Sequence, residues 1–286
     1  MNDRRAIARQ AMGAALRTRR SVGYGLDHAV CVYDLAEKLG VEVRFLDLPS
    51  MEGMYTPASS PTIIISSLRP PGRRAFTCAH ELGHHHRRDG VEIDELVEQW
   101  DKPRFDPKEF AADCFAGSLL MPKLAVSKAF AVRGWKIEEC TPEQASMVAG
   151  YFGVGYTTLV HHLRSALQAL PDPRAKALLK ISPRKAQSLL LGWQTPQTVV
   201  VVDAHWTRRA VDVEVGNLIF VRGGAEPEGA CIETLSDLEN GRLFRAVKPG
   251  IGRLEARSHW STFVRVSKRD YVGRALYRHW EEVGDG

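Results

Sequence analysis

Apolar positions change their period several times along this chain, and each change marks an element. From Asp27 to Leu39 they fall at Val30, Tyr33, Leu35, Ala36 and Leu39, the spacing of one helix face, and the pattern stops at Gly40. Val41 to Leu46 alternates and is rich in β-formers, so it predicts a strand. Gly53-Met54-Tyr55 and Thr62-Ile63-Ile64-Ile65 predict two more, joined by a Pro-Ala-Ser-Ser-Pro turn. After Pro70-Pro71-Gly72 the helical period returns from Arg73 to about His86. Gly90 to Pro107 is polar, acidic and broken by proline, the composition of a loop with a short helical turn. Asp106-Pro107 is a helix start, and the helix it opens runs through Ala112, Phe115, Ala116, Leu119 and Leu120 to end before Pro122, with a further helix beyond.

Thr141-Pro142-Glu143 opens another helix, Phe152-Gly153-Val154 turns the chain, and Tyr156-Thr157-Thr158-Leu159 opens a second that continues to about Leu167. Residues 141–168 therefore have helix-turn-helix spacing. Pro171-Asp172-Pro173 marks a linker, and a helical pattern follows from Ala175 to about Leu191. Beyond Gly192-Trp193 the pattern becomes β-like at Val199–Val202, Val211–Val215, Leu218–Val221, Leu243–Val247 and Phe263–Val266, and an amphipathic helix is expected from about Asp270 to Trp280. The expected organisation is an Arg-rich arm (1–26), a domain over 27–170 that includes the 141–168 pair, a helical linker (171–194) and a β-rich domain (195–286). The fold class is α+β, mainly helical around a small twisted sheet in the first domain.

Composition adds exclusions. Over 286 residues, 44% hydrophobic and 26% charged content supports a full core. No continuous apolar run of about 18 residues is present, so no membrane span is expected, and the first 25 residues lack the apolar stretch of a secretory signal. Five widely spaced cysteines with no CxxC pair fit free thiols in a reducing compartment, so the expected location is the cytoplasm. Residues 1–25 carry six arginines against one acid, which accounts for the net charge of +5. Such an arm can touch nucleic acid, but a short basic terminus more commonly stays solvated and frayed.

The chemistry concentrates at His80-Glu81-Leu82-Gly83-His84. Histidines four apart on a helix share a face and can grip one metal ion, and the glutamate between them can take a proton from water. A catalytic zinc site needs a third protein ligand. Glu109, on the first turn of the apolar helix, is the expected supplier. Asp113, one turn later, would orient His80 or His84 through the outer ring nitrogen, or exchange roles with Glu109. Glu81 is the expected general base, and Tyr55 the expected donor to an oxyanion; for Tyr55 a half-buried sheet residue is the plainer reading. Thr62–Ile65 could pair with an extended substrate at a sheet edge, or be a buried strand. Cys78 and Cys114 read as small buried hydrophobes rather than ligands, and His85 and His86 as solvated or supporting residues.

Arg73-Arg74-Ala75-Phe76-Thr77-Cys78-Ala79-His80-Glu81-Leu82-Gly83-His84 resembles the R-x-x-F-T-x-A-H-E-[LI]-[GS]-H signature of the ImmA/IrrE metallopeptidases. The stretch Glu109-Phe110-Ala111-Ala112-Asp113-Cys114-Phe115-Ala116-Gly117-Ser118-Leu119-Leu120-Met121-Pro122 resembles that family's second signature, E-x-x-A-x-x-F-A-x-x-L-L-M-P. The resemblance covers about residues 27–170. It implies a zincin-like peptidase domain that takes in the 141–168 pair, with His80, His84 and Glu109 as ligands of zinc or manganese and Glu81 as base. It also implies an XRE-type repressor as substrate, cut to derepress stress or mobile-element genes. His85 and His86 depart from the pattern, which is usually apolar there; the β-rich C-terminal region has no assigned match and is read as a sensor domain whose ligand the sequence does not name. Two rival readings remain. One is a DNA-binding regulator using the Arg-rich arm and the 141–168 pair, a pair whose second helix offers only His161, His162 and Arg164 as polar readers. The other is a metal or redox sensor, which would not need Glu81.

Overall fold

A computed structural model describes residues 2–90, 92–95, 105–256 and 260–280. The chain divides into two compact units, one of 1–126 with 272–276 and one of 127–271 with 277–286. The fold is α+β, with one five-stranded and two four-stranded sheets.

The first unit opens with helix α1 (Asn2–Ser21) and a short α2 (Val32–Lys38). Strands β1 (Glu42–Leu46), β2 (Met51–Thr56) and β3 (Thr62–Ser66) follow near the three β-like stretches of the sequence. Next come α3 (Pro71–Arg87), β4 (Glu92–Glu95) and α4 (Pro107–Leu120). The register aligns Val43 with Ile63 and Tyr55, and Phe45 with Ile65 and Gly53, so these residues share one face of the sheet. α3 packs against β2 and β3. The sheet order is β13-β1-β3-β2-β4, with β13 formed by Gly273–Arg274. Thr62–Ile65 is therefore an interior strand, parallel to β1 and antiparallel to β2, and its backbone groups have no edge to offer a substrate. Glu92–Glu95, expected as loop, pairs with β2; its acidic composition hides the strand because paired backbone, not side-chain pattern, defines it. The helical turn expected elsewhere between Gly90 and Pro107 falls largely outside the described residues.

The Arg-rich segment is not frayed. α1 packs along α4 and buries Ala11, Ala14, Ala15, Thr18 and Arg19. The Arg19 guanidinium is fully buried, and it donates to the carbonyls of Leu119 (2.8 Å), Gly25 (2.7 Å) and His28 (2.6 Å). A buried cation is tolerated when its N–H groups are saturated in this way, and the Leu119 carbonyl is one of those that the end of α4 leaves without a helical partner.

α5 (Lys123–Ala131) carries the chain into the second unit. There α6 (Pro142–Phe152) starts at a complete capping box between Thr141 and Gln144 and stops at Gly153 in the left-handed region. α7 (Tyr156–His161) continues as a π-turn over His162–Ala166. The helical stretch expected from Ala175 to Leu191 is two helices, α8 (Asp172–Leu179) and α9 (Pro183–Leu191), because Ser182-Pro183 restarts the helix with a side-chain cap. Strands β5 (Val199–Val202), β6 (Val211–Glu214), β7 (Leu218–Arg222), β8 (Glu226–Glu228), β9 (Ile232–Leu238), β10 (Gly241–Ala246), β11 (Gly250–Glu255) and β12 (Ser261–Ser267) form two sheets, ordered β5-β7-β10-β9 and β6-β12-β11-β8. Met147 and Leu191 pack with Val199, Val201, Leu218, Phe220 and Leu243, which seats α6 and α9 on the first of these sheets.

The helix expected from Asp270 to Trp280 is absent. Asp270 and Gly273 have φ of 51° and 137°, outside the helical region, and β13 (Gly273–Arg274) pairs antiparallel with β1. Only Ala275–Tyr277 forms a 3₁₀ turn.

Asp212 on β6 gathers several cations. Arg265 reaches both carboxylate oxygens at 2.7 and 3.0 Å, and Arg209, Arg278 and the His279 ring lie at 3.5–3.6 Å. Burial opposes the charge of Asp212, but the three guanidiniums outweigh it and hold the carboxyl well below its usual range. Burial, reinforced by Arg278, pushes His279 down to about 3. Both shifts have the same consequence in acid. Asp212 stabilises the fold above its ordinary value near 4, and that stability is lost as the pH falls through its lower folded value. As the pH drops below about 6.5, the unfolded chain takes up a proton at His279 that the folded chain refuses until about 3. Thermal melts should therefore show stability declining from about pH 6.5 to pH 4, and His279→Gln should flatten that decline; an unchanged pH slope in the variant would contradict the assignment.

Candidate metal centre

Helical period divides the work of α3 between two faces. His80 and His84 are four apart and meet α4; Glu81 and His85 are also four apart and meet β2. α3 and α4 approach closely because Gly83 lies against Ala112: a Cβ on Gly83 would stand 3.0 Å from the Ala112 Cα. α4 starts at the Asp106 cap, whose carboxylate accepts from the backbone N–H groups of Lys108 and Glu109, so Glu109 lies on the first turn.

The His80 Nε2 and His84 Nε2 atoms are 3.1 Å apart. The Glu109 carboxylate places Oε2 3.2 Å from His80 Nε2 and Oε1 3.4 Å from His84 Nε2. Bonds of about 2.0–2.1 Å to a tetrahedral ion require ligand atoms roughly 3.3 Å apart. The three donors thus fit zinc or a similar divalent cation, and they are the one such group among the described residues. The imidazoles are buried while the Glu109 side chain is 47% exposed, so the carboxylate is the solvent-facing corner.

Each imidazole is fixed from behind. His80 Nδ1 lies 3.0 Å from Asp113, and His84 Nδ1 lies 3.1 Å from Asp89. A proton on each Nδ1, donated to a carboxylate, leaves Nε2 as the lone-pair donor toward the shared point. The sequence reading named Asp113 for this position and missed Asp89. α3 ends with Arg88 in the left-handed region (φ 58°), which turns the chain so that the Asp89 N–H bonds the His84 carbonyl and its carboxylate meets the same residue's ring. A polar pair following a helix of histidines is the only trace of this in the sequence.

Burial disfavours charge on His80, but its bonds to Asp113 and Glu109 outweigh that and raise its pKa to about 10. His84 is raised as well, burial being outweighed by Glu109 and Asp89, and the two imidazoles hold the Glu109 carboxyl far below its usual range. A cation at the Nε2 atoms therefore displaces protons, and its affinity should weaken as the pH falls.

Glu81 is buried against β2. A Cβ at position 53 would come within 2.4 Å of Thr77 Cγ2 and 3.0 Å of Glu81 Oε1, so glycine at 53 makes room for the carboxylate. Tyr55, two residues along β2, is buried, and its hydroxyl lies 3.0 Å from His85 Nδ1. His86 stacks on Phe115. Cys78 is fully buried, and burial with the nearby Asp113 raises the Cys114 thiol to about 11; neither joins the ligand group.

Removing either rear carboxylate should weaken metal binding. Asp89→Ala and Asp113→Ala are each expected to cost about 10–100-fold in affinity, measured by competition with a fluorescent chelator; wild-type affinity in both would contradict this geometry.

One helical stretch, Pro107–Ala131, is long and apolar enough to cross a membrane by length and composition, but 61% of its most apolar window is buried in the protein. Comparison with curated proteins finds no match. A solved structure, that of a Mycobacterium tuberculosis transcriptional regulator, aligns with 58% of this chain and 49% of its own, at 21% identity and a TM-score of 0.38. The match spans about half the length of that regulator. Residues 36–164 match the IrrE N-terminal-like domain of the Peptidase M78 family. That segment contains both motifs and every residue of the metal centre, and over it the chain carries an IrrE N-terminal-like domain.

Proposed function

We propose that this chain is a metal-dependent endopeptidase that cuts an XRE-type helix-turn-helix repressor in the cytoplasm, releasing genes for stress response or mobile-element functions. The observation that carries the peptidase reading is the meeting of His80, His84 and Glu109 beside a buried Glu81. The repressor as substrate rests on the two family motifs. A zinc or manganese ion held there would polarise a peptide carbonyl and acidify water. Glu81 takes the proton of the attacking water and passes it to the leaving amine. Its backing by β2 limits the carboxylate to few positions, which favours proton transfer by reducing the cost of orientation. Tyr55 is the proposed donor to the developing oxyanion, with His85 fixing its hydroxyl. A zincin-like arrangement of the domain belongs to the same proposal.

The rival reading, DNA recognition by the 141–168 pair, is less well supported. α7 and the turn after it bury Tyr156, Leu159, Val160, His162 and Leu163, and the Tyr156 hydroxyl donates to the Leu178 carbonyl of α8. Arg164 is bound to Asp172 at 2.6 Å. Few polar side chains are left to read a groove.

Glu81→Gln should retain metal and lose cleavage by about 10²–10⁴-fold, while Glu109→Ala should lose metal affinity. Cleavage is read by mass spectrometry as one new terminus in the XRE-type repressor encoded beside the gene; full cleavage by Glu81→Gln would sink the mechanism. Gly53→Ala should keep the metal but lower kcat by about 10-fold through displacement of Glu81, and wild-type kcat would show that the close approach of β2 is immaterial.

A further inference from the structure

The Arg-rich terminus accounts numerically for the net charge, yet a second basic region lies in the second unit. Residues 173–202 contain Arg174, Lys176, Lys180, Arg184 and Lys185 and no acidic residue, in a chain that holds 34 acids and 39 lysines and arginines in all. Arg174 is turned inward and donates to the Cys140 carbonyl. The other four are exposed on α8, on the turn after it and on the first turn of α9. Lys176 and Lys180 are four apart on one face, about 6 Å along the helix axis, and Arg184 and Lys185 follow directly after the turn.

The nearest acid in sequence, Asp172, is already bound by Arg164. Lys180, Arg184 and Lys185 have no carboxylate partner among the described residues. The first turn of α9 has no acid, so its two cations sit at the positive end of the helix dipole. That arrangement is unfavourable for the isolated helix and becomes favourable when an anion lies across it.

We infer that the exposed face of α8 and the start of α9 bind the phosphate backbone of double-stranded DNA without reading its sequence. The residues exposed between the cations are Ala177, Ser182 and Pro183. A protein partner would call for an aromatic or aliphatic anchor, a membrane surface for large apolar side chains, and a single strand for stacking aromatics; none of these is exposed between the cations, and the exposed Leu189 and Trp193 come only after Lys185, toward the end of α9 and beyond it. Cations repeated on one face match a duplex, which carries a charge every 1.7 Å or so of its axis. The site uses no residue of the metal centre, so it does not depend on the peptidase reading.

The test uses the full chain and a fluorescein-labelled 24-base-pair DNA duplex, followed by anisotropy at 50 to 200 mM salt. Four phosphate contacts predict a slope of log affinity against log salt of about −3.6, or about a 10²-fold loss over that range. The slope should be the same on a duplex of unrelated sequence. The quadruple variant Lys176→Gln, Lys180→Gln, Arg184→Gln, Lys185→Gln should keep its far-ultraviolet circular dichroism and lose the binding. Lys180→Ala alone should reduce the slope by about one unit. No binding at 50 mM salt, unchanged affinity in the quadruple variant, or binding to phosphatidylserine vesicles in preference to the duplex would overturn the proposal.

Discussion

The closeness of α3 and α4 at Gly83 and Ala112 is the constraint on which the site depends. A side chain at position 83 would meet the backbone of α4, and the separation it forced would shift Glu109 relative to the two imidazoles. With glycine there, the Nε2 atoms of His80 and His84 and the carboxylate of Glu109 meet at the edge lengths of a coordination tetrahedron. The other face of α3 makes an equally close approach to the sheet, where Gly53 admits Glu81. One helix thus sets the two imidazoles and Glu81 about a quarter-turn apart, and each face relies on a glycine, Gly83 on α3 itself and Gly53 on β2.

Burying two imidazoles beside carboxylates has an electrostatic cost, and the surroundings offset it. Asp113 and Asp89 accept hydrogen bonds from the Nδ1–H groups, and the half-exposed Glu109 keeps the acidic corner solvated. Support comes from outside the matched family segment as well. α1 lies along α4, and Arg19 ties the end of α4 to the loop after α1 through saturated hydrogen bonds. The Arg-rich beginning of the chain therefore holds the helix that carries Glu109.

Much of this was legible in the sequence where one physical signal dominated. Alternation located β1, β-like stretches on either side of a proline-bounded turn located β2 and β3, and Asp106-Pro107 located the start of α4. The i, i+4 spacing of His80 and His84 gave their common face, and an apolar helix with a lone acid on its first turn pointed to Glu109. Signals failed where backbone pairing decided the outcome. The acidic β4, the strand Gly273–Arg274 and the three-residue β8 are held by ladders formed with distant residues. β9 exposes Glu233 through Asp237, so it lacks the alternation that marks a half-buried strand. Asp89 and Gly53 escaped notice because their importance lies in distances to other elements, 3.1 Å to a ring nitrogen and a 3.0 Å approach to a carboxylate oxygen.

The central claim is that two imidazoles and the Glu109 carboxylate, and no thiolate, hold one divalent ion. X-ray absorption at the zinc edge of the zinc-loaded protein measures this directly. The account predicts only nitrogen and oxygen scatterers at about 2.0–2.1 Å, with the multiple-scattering pattern of two imidazoles. A sulfur shell at about 2.3 Å, or an imidazole count other than two, would contradict it.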